Sequence, residues 1–140
     1  MIRFGRVFAA TVLIAMTLGA LVACSSRGTP LEGTKWRLVG WTISSINPAD
    51  VTITAKFSQD KLSGNSGVNS YSGSYKLGPG DAFSGGPFAG TLMAGPEPAM
   101  RAESAYLKLL SQAKSYTVSH GTLTLHDERG NESLTFEAAN

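Results

Sequence analysis

Apolar and polar positions alternate along much of this chain, and the alternation breaks wherever glycine, proline, serine and asparagine cluster. Over Val51–Phe57, Val51, Ile53, Ala55 and Phe57 share one parity and Thr52, Thr54 and Lys56 the other. A half-buried strand requires that pattern. "GTKWRLVGW" puts Trp36, Leu38 and Gly40 on one face and Lys35, Arg37, Val39 and Trp41 on the opposite one, which predicts a first strand. "SQDK" then turns the chain into Leu62, and "SGSYKLG" and "DAFSGGPFAGTLMA" read as further strands divided by the breaker Gly78, Pro79, Gly80. Gly85 and Gly86 before Pro87 predict a bulge, kink or strand end. Later, Tyr116 and Val118 alternate into Gly121, Leu123 and Leu125 into the turn "DERGN", and Leu134 and Phe136 into a last strand.

One segment changes period. From a start near Pro98, Ala102, Tyr106, Leu109, Leu110 and Ala113 recur at the spacing of a single helix face, while Arg101, Lys108 and Ser111 lie elsewhere. Glu97 at the start and Lys114 at the end suit the helix dipole. The connections are too short for parallel crossovers, so the strands are expected to be antiparallel. The predicted fold is mainly β, of α+β type. It is a small, strongly bent antiparallel sheet or partly open barrel of about seven or eight strands, with one late amphipathic helix closing one side or end.

The first residues interrupt the alternation altogether. Arg3 and Arg6 precede an almost wholly apolar run from Val7 to Leu21, the organisation of an export signal. The run ends in Leu21, Val22, Ala23 and Cys24, which resembles the lipobox of bacterial lipoproteins. That resemblance implies cleavage before Cys24 and lipidation of its sulfur. Residues 1–23 are then the signal, 24–30 a short polar tether, and 31–138 the folded domain. The chain has one cysteine, so a lipidated Cys24 leaves no thiol for a disulfide, a metal cluster or thiol catalysis. The expected location is the cell envelope, facing the periplasm or exterior: the outer membrane in an enteric-type diderm, the outer face of the plasma membrane in a monoderm.

Charge adds little. Twelve basic and ten acidic residues become ten and ten once Arg3 and Arg6 leave with the signal, so no nucleic-acid partner is expected.

Candidate chemistry is sparse as well. "GNSGVNSYSGSY", residues 64–75, is rich in glycine but lacks the lysine of a phosphate loop and leads into no helix, so it reads as a turn between strands. No serine stands in a nucleophile-elbow pattern. His120 and His126 are the only histidines; "HDE" at residues 126–128 falls short of the three or four convergent ligands of a metal site. The expectation is a protein with no enzymatic activity, cofactor or metal. Tyr71 and Tyr75 share a parity and read as partial core, with Tyr71 as a contact surface in the alternative; Trp36 reads as core and Trp41, on the opposite parity, as a contact residue.

"LEGTKWRLVGW", "GNSGVNSYSGSY", "TLMAGPEPAMRAESAYLKLL" and "LTLHDERGNESLTF", in that order, resemble the META domain family, which includes the heat-inducible HslJ proteins of bacterial envelopes. The resemblance runs from Leu31 to Phe136. It implies a compact β-rich domain with one helix on exported or lipid-anchored proteins, linked to stress and antibiotic tolerance, and no catalytic residues. Many members carry cysteine where this chain has Val68 and again where it has Gly95, which implies that the two positions are neighbours in space. The expected role is envelope integrity or stress tolerance through binding, with the membrane and an unidentified envelope protein as partners. The alternative is an inhibitor or binder of a specific hydrolase.

Overall fold

A computed structural model of the chain describes residues 30–43 and 45–140; the expected export signal at residues 1–23 and the expected lipidation site Cys24 lie outside the described residues. Eight strands and one α-helix follow in the order β1 (Lys35–Trp41), β2 (Thr54–Ser58), β3 (Lys61–Asn65), β4 (Ser70–Gly78), β5 (Ala82–Gly90), α1 (Glu97–Gln112), β6 (Ser115–Ser119), β7 (Thr122–His126) and β8 (Glu132–Ala138). Each strand pairs antiparallel with the next, and β8 returns to β1, so the sheet closes into a ring.

The ring is uneven. β5 and β6 pair only through Ala82 and Ser115, because α1 intervenes between them in sequence and packs against β5 and β8. The helix face is the one its periodicity predicts. Ala102, Tyr106, Leu110 and the following Ala113 are buried, and Leu109 packs at the margin.

Strand alternation does the rest. Trp36 and Leu38 of β1, Ala55 and Phe57 of β2, Tyr71 and Tyr75 of β4, and Phe83 of β5 all point inward, joined by Leu123, Leu125, Leu134 and Phe136. Tyr106 stands edge-on to Tyr71 and Phe136, with ring centroids 5.5 and 6.3 Å away, so the helix is keyed into the ring by an aromatic contact on each side.

Two boundaries differ from the sequence pattern. The ladder of β2 begins at Thr54, and Ile53, although fully buried, stands just outside it, bridging to Ser66 and accepting from the Leu38 backbone N–H at 2.9 Å. β5 stops at Gly90 instead of continuing through "TLMA". The glycine-proline step does interrupt the sheet: the register between β4 and β5 shifts between Gly73 and Tyr75, opposite a cis Gly86–Pro87 peptide.

Because the strands run up and down, the connections sort to two ends. Residues 30–34 before β1, the β2–β3 turn, the β4–β5 turn and the β6–β7 turn lie at one end. The β1–β2 connection, the β3–β4 loop and the segment 91–96 that leads into α1 lie at the other.

Candidate functional site

At the end away from residues 30–34, the helix and the β3–β4 loop, distant in sequence, meet on one carboxylate. Glu103 sits on α1 three residues before Tyr106, at the edge of the buried stripe. Its Oε2 accepts from the Ser66 hydroxyl at 2.7 Å, from the backbone N–H of Asn69 at 2.7 Å and from that of Val68 at 3.3 Å. Its Oε1 accepts from the Asn69 side-chain amide at 2.8 Å. Burial by itself would raise the carboxyl; the hydrogen bonds from Asn69, Ser66 and Val68 outweigh it and hold the group below the ordinary glutamate range. The tight loop between β3 and β4 is thus wrapped round an anionic oxygen supplied by the helix.

Asn69, itself buried, passes the constraint on. Its Oδ1 accepts from the Met93 backbone N–H at 2.7 Å and the Thr91 hydroxyl at 2.9 Å, and its Nδ2 donates to the Met93 carbonyl at 3.1 Å. One asparagine side chain therefore holds both backbone polar groups of Met93. Between these anchors, Leu92 is 98% exposed and Met93 60%, an apolar pair presented to solvent on a segment fixed from below.

The two positions singled out for cysteine in relatives are brought together here. A Cβ placed on Gly95 would stand 3.4 Å from the Val68 Cβ and 2.8 and 2.9 Å from its methyls, so the glycine lets segment 91–96 close over the loop. Gly67 takes φ of +127° and lies against the helix, where an added Cβ would meet the Ala99 carbonyl oxygen at 3.1 Å. A side chain at Gly67 would be strained and crowded together.

The META domain family matches residues 29–140, nearly all of the described chain. The chain belongs to the META domain family. A solved structure of a protein from Burkholderia xenovorans is 33% identical and superposes with a TM-score of 0.67, covering 79% of this chain and 84% of that one. A DUF4847 family protein from Bacteroides vulgatus shares the fold at 12% identity, with a TM-score of 0.56 over 77% of this chain and 94% of its own. Among curated proteins none matches.

Within this META domain the remaining expected residues fall apart from one another. Tyr71 is not a contact surface: it is 3% exposed, donates its hydroxyl to the Thr54 carbonyl at 2.9 Å and meets the Tyr106 hydroxyl at 2.6 Å. The helix supplies the partner that buries it. Trp41 is half-buried, packs on the core margin and donates its indole N–H to the Ile46 carbonyl at 2.9 Å. His120 and His126 lie at opposite ends of the β6–β7 hairpin and bond Ser119 and Thr117 respectively. Asp127 holds its own turn by accepting from the N–H groups of Asn131 and Arg129, which lowers its carboxyl. Among the described residues no three His, Cys, Asp or Glu side chains are grouped to hold a metal ion. Among the described residues, no helix is long and apolar enough to cross a membrane.

Glu103 and Asn69 were not singled out by the sequence. The available signal was a carboxylate at the edge of an apolar helix stripe, followed by the question of which donors it could satisfy.

Proposed function

We propose that this META domain is a non-enzymatic, lipid-anchored binding protein of the bacterial cell envelope that supports envelope integrity or stress tolerance. In this reading Cys24 carries the lipid, residues 24–30 form the tether, and the end of the domain opposite the tether contacts an envelope protein. The observation that supports it most is the Leu92–Met93 tip, an exposed apolar pair whose backbone is pinned by Asn69 and, through it, by Glu103. Holding such a pair rigid lowers the ordering cost of binding, and apolar side chains held in solvent gain most from a complementary pocket. A protein is favoured over the anchoring membrane because the tip and residues 30–34, to which the proposed tether leads, lie at opposite ends of the ring. Each tether residue spans at most about 3.6 Å, so the lipid holds the near end down and leaves the tip directed away.

Two variants in a deletion strain test this reading. Cys24→Ala should abolish lipid labelling and release the domain from membranes, and Leu92→Asp should stay anchored and folded yet fail to restore stress survival. Full rescue by Leu92→Asp would contradict the role of the tip. The protruding tip also favours a second reading, in which the partner is a hydrolase whose cleft the tip fills. Inhibition of a captured hydrolase by the added protein would select that version.

A further inference from the structure

The outer face of β1–β4 has a charge pattern the proposed tip does not use. Lys35 and Arg37 of β1, Lys56 of β2, Lys61 of β3 and Lys76 of β4 all point outward and are exposed. Between them stand Ser58, Ser63, Ser72 and Ser74, and no strand residue on this face is a carboxylate. Lys35 and Lys56 are directly opposite each other across the β1–β2 ladder, an arrangement that like charges disfavour. Asp60 in the β2–β3 turn and Asp81 in the β4–β5 turn are acids at the same rim; Glu32 is occupied by the Gln59 N–H and the Tyr75 hydroxyl, and Glu137 on β8 lies opposite Arg37. Among the described residues the one ion pair is Arg101 with Glu97 on the helix, so none of these five cations has a carboxylate oxygen within 4.0 Å.

The lysines cluster toward one end of their strands as well as on one face. Lys35 and Lys61 open their strands, and Lys56 and Lys76 stand two residues from the ends of theirs. All four therefore ring the end of the barrel at which residues 30–34 lie. Lys56, Ser58, Gln59, Lys61 and Ser63 line a shallow concavity of about 290 Å³ there, furnished with donors for an anion.

We infer that the lysine-ringed end of this face rests on an anionic phospholipid surface, with the concavity of Lys56 and Lys61 receiving a headgroup phosphate. The inference rests on the lipid anchor of the proposed function. A lipid chain and a basic patch are the two signals that together fix a protein at a membrane and orient it there, and each lysine near an anionic surface strengthens the contact roughly fivefold. Orientation is the consequence: with the lysine-ringed end of this face down, the Leu92–Met93 tip, at the opposite end of the barrel, points away from the bilayer.

The test uses the lipidated chain reconstituted into vesicles of phosphatidylcholine alone or rich in phosphatidylglycerol, with amine acetylation of each lysine followed by mass spectrometry. Lys35, Lys56, Lys61 and Lys76 should be protected several-fold in the anionic vesicles, Lys108 and Lys114 should label equally in both, and high salt should remove the protection. Lys56→Glu with Lys61→Glu, both exposed and unpaired, should expose Lys35 and Lys76 to label. Equal labelling of all six lysines in both vesicles, with the chain still floating with the lipid, overturns the face and leaves the anchor standing. Failure to float overturns both. Protection by inorganic phosphate alone, equal to that by phosphatidylglycerol, would make this a small-anion site and overturn the membrane surface.

Discussion

Glu103 and Asn69, 34 residues apart, are joined twice: the carboxylate accepts from the Asn69 backbone N–H at 2.7 Å and from its side-chain amide at 2.8 Å. The helix thereby closes the β3–β4 loop, and the loop in turn holds the segment that carries Leu92. Replacing Glu103 by alanine leaves the donors of Ser66, Val68 and Asn69 without their acceptor, which should cost about 2–4 kcal/mol in urea unfolding. Glu103→Gln keeps one acceptor oxygen and should cost roughly half as much. Equal stability of all three proteins would show that the contact carries no energy.

The same carboxyl sets a pH dependence. Its folded pKa is lowered, so its contribution is fully present above the unfolded glutamate value of about 4.3 and is lost as pH falls through the lower folded value. The stability difference between native protein and Glu103→Gln should therefore be constant near neutrality and shrink below about pH 4. A difference that grows on acidification would reverse the sign assigned here. Comparing the two proteins cancels the parallel effect of Asp127, whose carboxyl is also lowered.

The tyrosine pair predicts an asymmetry. Tyr71 donates to the Thr54 carbonyl, so the proton between the two hydroxyls belongs to Tyr106. Tyr71→Phe orphans the buried Tyr106 hydroxyl and should cost about 1–3 kcal/mol, whereas Tyr106→Phe removes a donor that Tyr71 can spare and should cost about 1 kcal/mol. Calorimetric unfolding of the two variants checks the order; a more destabilised Tyr106→Phe would contradict the donor assignment.

Val68 and Gly95 are placed for a cross-link. A Cβ on Gly95 would stand 3.4 Å from that of Val68, at the short edge of the roughly 3.5–4.5 Å that a disulfide uses. Val68→Cys with Gly95→Cys should oxidise within the chain and add about 3–4 kcal/mol for a loop of this length, read as a midpoint shift lost on reduction. Two thiols that stay free under oxidant would refute the placement.

Much of this domain is legible in its sequence, and the reasons are local. Alternation marks β1 and β2 because each buries one parity, and the stripe from Ala102 to Ala113 marks α1 because a single face packs on the ring; in β6–β8 the apolar parity still leads inward, but Val118 is exposed and Thr124 and Ser133 are buried on the other parity. The fate of Tyr71 was not legible, since parity places it on a face but only the helix, 35 residues away, decides that the face is covered. Glu103 was hidden for the same reason: its partners lie 34 to 37 residues back, and no local pattern records a carboxylate reaching across the fold. The end of β5 at Gly90 follows from Asn69 capturing Met93, which "TLMA" read as a strand could not show.

The proposed binding surface is the Leu92–Met93 tip. A photo-crosslinking amino acid placed at Leu92 in living cells should yield a discrete protein adduct that is absent from the same probe at Lys108 on the helix, and Asn69→Ala should weaken it by releasing Met93. Adducts of equal yield from both positions, or none from Leu92 in a correctly anchored chain, would show that the tip is not the binding surface.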